Sequence, residues 1–353
     1  MHERSVKDLV GTKINILDER MKVIIVDSVK GGCGKTSISL KYAAMLAQKN
    51  EKVCYIDLDI LGSSIETFIN GINLDNLALK SMTEEVNENY SGDSEPSFQL
   101  YVDCPARFHL NEIFKGQSFS PRFFNRIKVT EKHSVDIHYF DLIACNPDQD
   151  EKDLFKPSKL MNYVGQIDYE YFAAMIKNIL DELKSERYTY IIIDMPPNSD
   201  AYTDSVFNIL LRADESGKEM IKNLEYVDSN EAAKYNVVTK YNVEICIVNS
   251  LDRAHFEANL LWLRAMIDER RMEWALDQEQ NFKIVFNNNS VIENELNESQ
   301  IKKYLDFRLL QLKELSIKKV TRFDYDRQLA ESAMNNCVIG FGSLRESELK
   351  CPI

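Results

Sequence analysis

Between Val23 and Ser37 the chain reads Val-Ile-Ile-Val-Asp-Ser-Val-Lys-Gly-Gly-Cys-Gly-Lys-Thr-Ser. An apolar, β-branched run enters a glycine-rich turn and a helical pattern leaves it, so the order is strand, tight loop, helix. Gly31, Gly32 and Gly34 let backbone N–H groups converge on one point, where a phosphate can sit. Lys35 can set its ammonium against the β- and γ-phosphates, and the Thr36 hydroxyl can bind Mg²⁺. A helix starting near Lys35 adds the positive end of its dipole. The bland alternative is a glycine-rich turn that binds nothing; six fixed positions in a strand–helix context argue against it.

The loop departs from ordinary phosphate-loop spacing in two places. That spacing asks for a glycine five residues before Gly34, where Val29 stands, and an additional lysine, Lys30, precedes the glycines. Lys-Gly-Gly-x-Gly-Lys-Thr resembles the deviant Walker A loop of the ParA/MinD/Mrp family of nucleotide switches. The resemblance implies that Gly31, Gly32, Cys33, Gly34, Lys35, Thr36 and Ser37 cradle ATP. It also implies that Lys30 reaches across a two-fold axis to the phosphates of a partner's site, where the bland reading is a surface lysine beside a turn.

Two acid-tipped strands fall where such a loop needs them. Lys52-Val-Cys-Tyr-Ile-Asp57 runs into Leu58-Asp59-Ile60-Leu61-Gly62-Ser63-Ser64, placing carboxylates at i and i+2 just past a strand's C-terminal end. One can hold metal-bound water and the other can orient an attacking water. The segment resembles the switch I of Mrp-type members, by which Asp59 positions the water with Asp57 behind it. Tyr190-Ile-Ile-Ile-Asp194 is a continuous apolar strand ending in aspartate, as a buried parallel strand does. Asp194 then bonds to the Mg²⁺ shell, with Thr36 and Asp57 as the other metal-side groups, and Pro196 and Pro197 stiffen the turn beyond. Asp-Met-Pro-Pro-x-x-x-Asp resembles the Mrp-type switch II, although Asn198 stands where that form has glycine. Asn287, ending the strand Phe282–Phe286, matches a family Asn that contacts adenine; the alternative is a polar loop of turn-favouring asparagines.

The rest of the chain bounds the reading. At 353 residues it could form one large domain or two small ones. Its net charge of −13 opposes broad attraction to nucleic acid or anionic membrane, so non-specific DNA binding would need a local basic patch. The segment Pro121–Val129 and the helix after Arg253 mix basic and apolar residues, and both read as packed or solvated rather than as such patches. Seven scattered cysteines form no C-x-x-C, and a cysteine in the nucleotide loop fits a reducing compartment. With no run of 18 apolar residues and no signal-like apolar core, a cytoplasmic protein without a membrane helix is expected.

The expected fold is α/β: one domain, a mostly parallel twisted sheet with helices on both faces and the nucleotide at the strands' C-terminal edge. The domain spans 22–345, after an extension over 1–21 and before a tail over 346–353, with weakly patterned insertions near 71–136 and 211–241. The resemblance implies slow, partner-stimulated, Mg²⁺-dependent ATP hydrolysis coupled to an ATP-held homodimer. That dimer would act on an activating or cargo protein. Two alternatives are an Mrp-like iron–sulfur carrier, disfavoured by the missing C-x-x-C, and a nucleotide-binding scaffold without turnover.

Overall fold

A computed structural model describes residues 21–59, 65, 97–114, 117–145, 169–197, 201–211, 241–270, 282–287, 298–324, 326, 328–329 and 339–349. The N-terminal extension to residue 20, the Ile60–Ser64 segment, most of the acidic stretch 81–97, Asn198 and nearly all of 211–241 lie outside the described residues, as do Cys337 and Cys351.

Eleven strands form one sheet in the order β10-β3-β4-β5-β2-β6-β1-β7-β8-β9-β11. The strands are β1 (Lys22–Asp27), β2 (Val53–Asp57), β3 (Phe98–Cys104), β4 (Asn125–Glu131), β5 (Ile137–Ile143), β6 (Tyr190–Asp194), β7 (Asn242–Asn249), β8 (Phe282–Asn287), β9 (Lys319–Phe323), β10 (Ile339–Phe341) and β11 (Ser347–Glu348). From β5 to β9 every pair is parallel; β3, β4, β10 and β11 attach antiparallel at the margins. Parallel strands covered on both faces need apolar residues at every position, which is why β1, β2, β6 and β7 read as unbroken Val/Ile/Tyr/Cys runs.

The helices are α1 (Lys35–Gln48), α2 (Leu110–Phe114), α3 (Tyr169–Ser185), α4 (Ala201–Leu211), α5 (Arg253–Arg270) and α6 (Glu298–Glu314). Alternate residues of one strand serve two separate cores. Val23 and Ile25 join the core shared with α3 to α6, while Ile24 and Val26 join the core around α1. Helices α3 and α6 turn their apolar faces inward: Met175, Ile176, Ile179, Leu180 and Leu183 on α3, and Ile301, Leu305, Leu309 and Leu312 on α6. Asn50, Arg187 and Ser316 adopt left-handed φ values of 61°, 62° and 58° just past α1, α3 and α6, turning the chain back toward the sheet.

The sheet is rolled. Laid flat, eleven strands would separate β10 from β11 by about 48 Å. Phe341 and Ser347 are six residues apart, a reach of at most about 20 Å. The two margins must therefore approach each other, and α1 occupies the trough between them. Residues Ile38 to Ala44 of α1 are all buried, so no solvent-facing stripe exists on that stretch. Tyr42 meets Phe323 of β9 edge-on, and the Lys41 ammonium lies 5.4 Å and 5.5 Å from the centroids of Phe323 and Phe341. Lys41 also pairs with Asp326 at 2.8 Å, and the Tyr42 hydroxyl donates to Glu346 at 2.6 Å, tying the C-terminal segment over the helix.

One stretch differs from expectation. Pro121–Val129 is not a packed loop: after a short 3₁₀ turn it becomes β4, with Ile127 and Val129 inward and Arg126 outward, its guanidinium 4.8 Å from the Tyr139 ring.

Candidate nucleotide site

The phosphate loop leaves β1 at the point where the order of connections reverses, toward β2 on one side and β7 on the other, the place where open α/β sheets leave a crevice. Its entry is clamped. The Asp27 carboxylate accepts the Ser28 N–H at 2.7 Å, and the side-chain oxygen of Asn259 on α5 accepts the Val29 N–H at 2.8 Å. The Asn259 amide donates in turn to the Val248 carbonyl and to Asn249. Asn259 is fully buried on an otherwise apolar helix face, at helical spacing from Phe256 and Leu263. A lone amide at a core position was the available sequence signal, and the apolar periodicity around it hid the role.

Gly32 and Gly34 have φ values of 79° and 87°, a conformation that only glycine adopts without strain. Gly34 caps α1, no side chain bonds to the helix N-terminus, and its first turn holds no acid. The helix thus begins with N–H groups and dipole facing the loop, an arrangement suited to an anion. A Cβ on Gly31 would stand 3.7 Å from that of Pro197, so the phosphate loop lies beside the turn after β6. Lys30, Gly31 and Gly32 are exposed, and among the described residues no ion pair or hydrogen bond holds the Lys30 ammonium. Lys35 is buried and lies within electrostatic reach of Asp194. Ser37 is half-buried in the first turn of α1.

Cys33 turns inward, fully buried against the core around α1, with its thiol donating to the Lys30 carbonyl at 3.6 Å. Burial pushes that thiol above its usual range. Cys33 anchors the loop from below as a small apolar side chain. Asn287 sits at the end of β8 with its amide donating to the Cys33 carbonyl at 3.0 Å, so this side chain holds the loop. Sequence reading assigned Asn287 to the base and missed this backbone contact, because nothing in either local sequence links residues 33 and 287.

The acidic groups converge on the same edge. Parallel pairing sets Asp57 beside Asp194. The Asp57 carboxylate accepts the Asp59 N–H at 3.0 Å, fixing the turn that carries Asp59 outward from the buried strand end. The Asp194 Oδ2 accepts two hydroxyl donors, Thr36 at 2.7 Å and Tyr55 at 2.7 Å. The other oxygen, Oδ1, is buried and has no hydrogen-bond partner among the described residues. Burial raises the Asp194 carboxyl from 3.8 to about 6, with Thr36, Tyr55 and Lys35 pulling down and Asp59 pushing up. An orphaned carboxylate oxygen beside a threonine hydroxyl and a row of N–H groups suits a divalent cation carried in with a phosphate.

Among the described residues no helix is long and apolar enough to cross a membrane. The model of the family described as "ParA: NUBPL iron-transfer P-loop NTPase" matches residues 19–89. No curated protein matches the chain. Among solved structures, the MinC:MinD cell division complex of Aquifex aeolicus is similar at 12% identity and a TM-score of 0.49, covering 90% of this chain and 86% of that one. A putative plasmid partition protein of Borrelia burgdorferi B31 bound to AMPPNP is similar at 16% identity, TM-score 0.49, with 90% and 91% covered. The cell division ATPase MinD of Pyrococcus furiosus is similar at 12% identity, TM-score 0.49, with 90% and 88% covered. The match spans the segment that builds the phosphate loop and the first acid-tipped strand, and over that segment this chain is similar to the ParA family of P-loop NTPases.

Proposed function

We propose that the chain is a Mg²⁺-dependent ATPase that works as an ATP-controlled homodimer and signals its nucleotide state to an activating or cargo protein. One arrangement carries the reading. Two left-handed glycines open an uncapped helix, and its Thr36 is bonded to a strand-end carboxylate with a buried, unpartnered oxygen. Backbone N–H groups from Gly31 to Ser37, with Lys35, take the phosphates. Thr36 and Asp194 hold Mg²⁺, which when bound offsets the charge developing on the phosphates, and Asp57 backs this group through the turn it fixes. Asp59 orients the attacking water. With its amide nitrogen on the loop, Asn287 leaves its carbonyl oxygen for the adenine amino group.

Lys30 is exposed next to the glycines and reaches the phosphates bound by a second copy. The dimer interface is then isologous, and hydrolysis waits on assembly. A cation supplied in trans accounts for about 10³–10⁵ of the rate in comparable phosphoryl transfers. The test pairs size exclusion with phosphate release for the wild type, Asp59→Ala and Lys30→Ala. Wild type should dimerise with Mg²⁺ and ATP, and Asp59→Ala should stay dimeric without releasing phosphate. Lys30→Ala should lose about 10³-fold in rate while still binding ATP. A Lys30→Ala protein that dimerises and turns over normally removes the trans lysine, and a wild type that binds no ATP removes the whole reading.

The matched family's description supports a second reading, iron transfer, with an iron–sulfur cluster as cargo. Among the described cysteines only Cys104 is exposed; Cys33, Cys54, Cys145 and Cys246 are buried. Anaerobic reconstitution with iron and sulfide that leaves the protein colourless removes this reading.

A further inference from the structure

Tyr55 lies in the middle of β2, fully buried in the core around α1, yet its hydroxyl reaches across to β6 and donates to the Asp194 Oδ2 at 2.7 Å. We propose that Tyr55 is a positioning residue for the divalent cation. Its hydroxyl fixes which oxygen of Asp194 is offered to the metal.

A carboxylate is free to turn. Rotating an aspartate about its last torsion exchanges its two oxygens, and the torsion is soft. Here both available hydroxyl donors, Thr36 and Tyr55, converge on Oδ2, and Oδ1 is left buried with no partner among the described residues. Thr36 cannot act as the sole anchor, because its oxygen is the group proposed to turn toward Mg²⁺. Tyr55 has no such second task, and it is held by the strand that pairs with β6: Tyr55 is opposite Ile192 in register, two residues before Asp194. A neutral donor also leaves the carboxylate's charge in place, where a lysine at position 55 would cancel it. The core needs no hydroxyl here; an aliphatic side chain would fill a strand position flanked by Cys54 and Ile56.

This inference rests on the reading that the chain binds a Mg²⁺-nucleotide, and one titration separates the two. Binding of a fluorescent ATP analogue is measured with excess EDTA and then against increasing Mg²⁺, for the wild type and Tyr55→Phe. The expected result is analogue binding unchanged within about twofold in EDTA, and a Mg²⁺ requirement raised about tenfold, the loss that follows from one hydrogen bond to a charged group. A purely structural tyrosine would weaken both conditions alike or neither, and either result overturns the proposal. Where Tyr55→Phe fails to fold, as circular dichroism reports, Tyr55→Met, whose flexible side chain adapts to the space, carries the same expectation. A wild type whose analogue binding ignores Mg²⁺ overturns the underlying reading together with this one. A Mg²⁺-dependent wild type with an identical Phe variant overturns Tyr55 alone.

Discussion

The same strands end very differently at their two edges. At its N-terminal end β1 places Lys22 3.0 Å from Glu244 of β7, and Lys319 of β9 reaches the same carboxylate at 3.4 Å. A few residues further along, the C-terminal ends of β1, β2 and β6 carry Asp27, Asp57 and Asp194, all buried. Of these, the Asp194 carboxylate accepts from two neutral hydroxyls, Thr36 and Tyr55. Glu244 has charges of the opposite sign around it; Asp194 has two hydroxyls and an oxygen left over. One edge pairs its charge within the fold, and at the other, on the proposed function, Asp194 keeps an oxygen for a ligand. Three substitutions test that division.

The largest effect is expected from Lys35→Ala at the C-terminal edge. Charge-assisted contacts to two phosphates should be lost, weakening ATP binding by about 10²–10⁴-fold. Folding should suffer little, because removing the buried Lys35 ammonium costs the fold only its electrostatic attraction to Asp194. Isothermal titration and a thermal melt read the two quantities on one sample. A variant that binds normally, or melts well below the wild type, would break the division at its strongest point.

Asp194→Asn sharpens it. Burial raises the Asp194 carboxyl from 3.8 to about 6, so its contribution to stability is full below about pH 4 and is lost as pH rises through about 6. At neutral pH the ionised, metal-free site then costs the fold about 3 kcal/mol. Asparagine should recover much of that and flatten the urea-melt stability of the metal-free protein between pH 4 and 7. It should also abolish the Mg²⁺ dependence of nucleotide binding. In the wild type that dependence should weaken about tenfold for each pH unit below about 6, since the cation competes with one proton. Loss of stability in the asparagine variant would mean that the carboxylate is part of the frame.

Legibility in the sequence followed the same division. The phosphate loop was readable because its chemistry is contiguous: Lys30 to Ser37 carry glycines, cation and hydroxyl within eight residues. Asp57 and Asp194 were readable because each ends an apolar strand. Tyr55, Asn259 and the loop-holding role of Asn287 were not, because each acts on a residue more than a hundred positions away through a pairing that only the fold supplies. Tyr55 in particular reads as one more β-former in a buried strand. The margins were obscured for another reason. The strands β3 and β4 mix charged with apolar residues because only one of their faces is buried, and such short alternations look like loops. Helix α1 has no polar stripe over Ile38–Ala44 because the rolled sheet and the C-terminal segment enclose it, which no amphipathic pattern announces.

The smallest effect belongs to the N-terminal edge, and its sign is the reverse. Burial alone would raise the Glu244 carboxyl, but Lys22, Lys283 and Lys319 outweigh it and hold the group below its ordinary 4.5. Its contribution is therefore present above pH 4.5 and lost as pH falls through the lower folded value, the opposite direction from Asp194. Glu244→Gln should cost about 1 kcal/mol at pH 7, because the pair is only partly buried, and the cost should shrink in high salt. It should shrink in melts taken as the pH falls through that lower folded value, where the wild type loses the same charge. Nucleotide affinity should not change, since Glu244 lies at the far end of β7 from the loop. A Glu244→Gln protein whose stability deficit grows as the pH falls, or whose ATP affinity drops with its stability, would show the two edges to be coupled rather than divided.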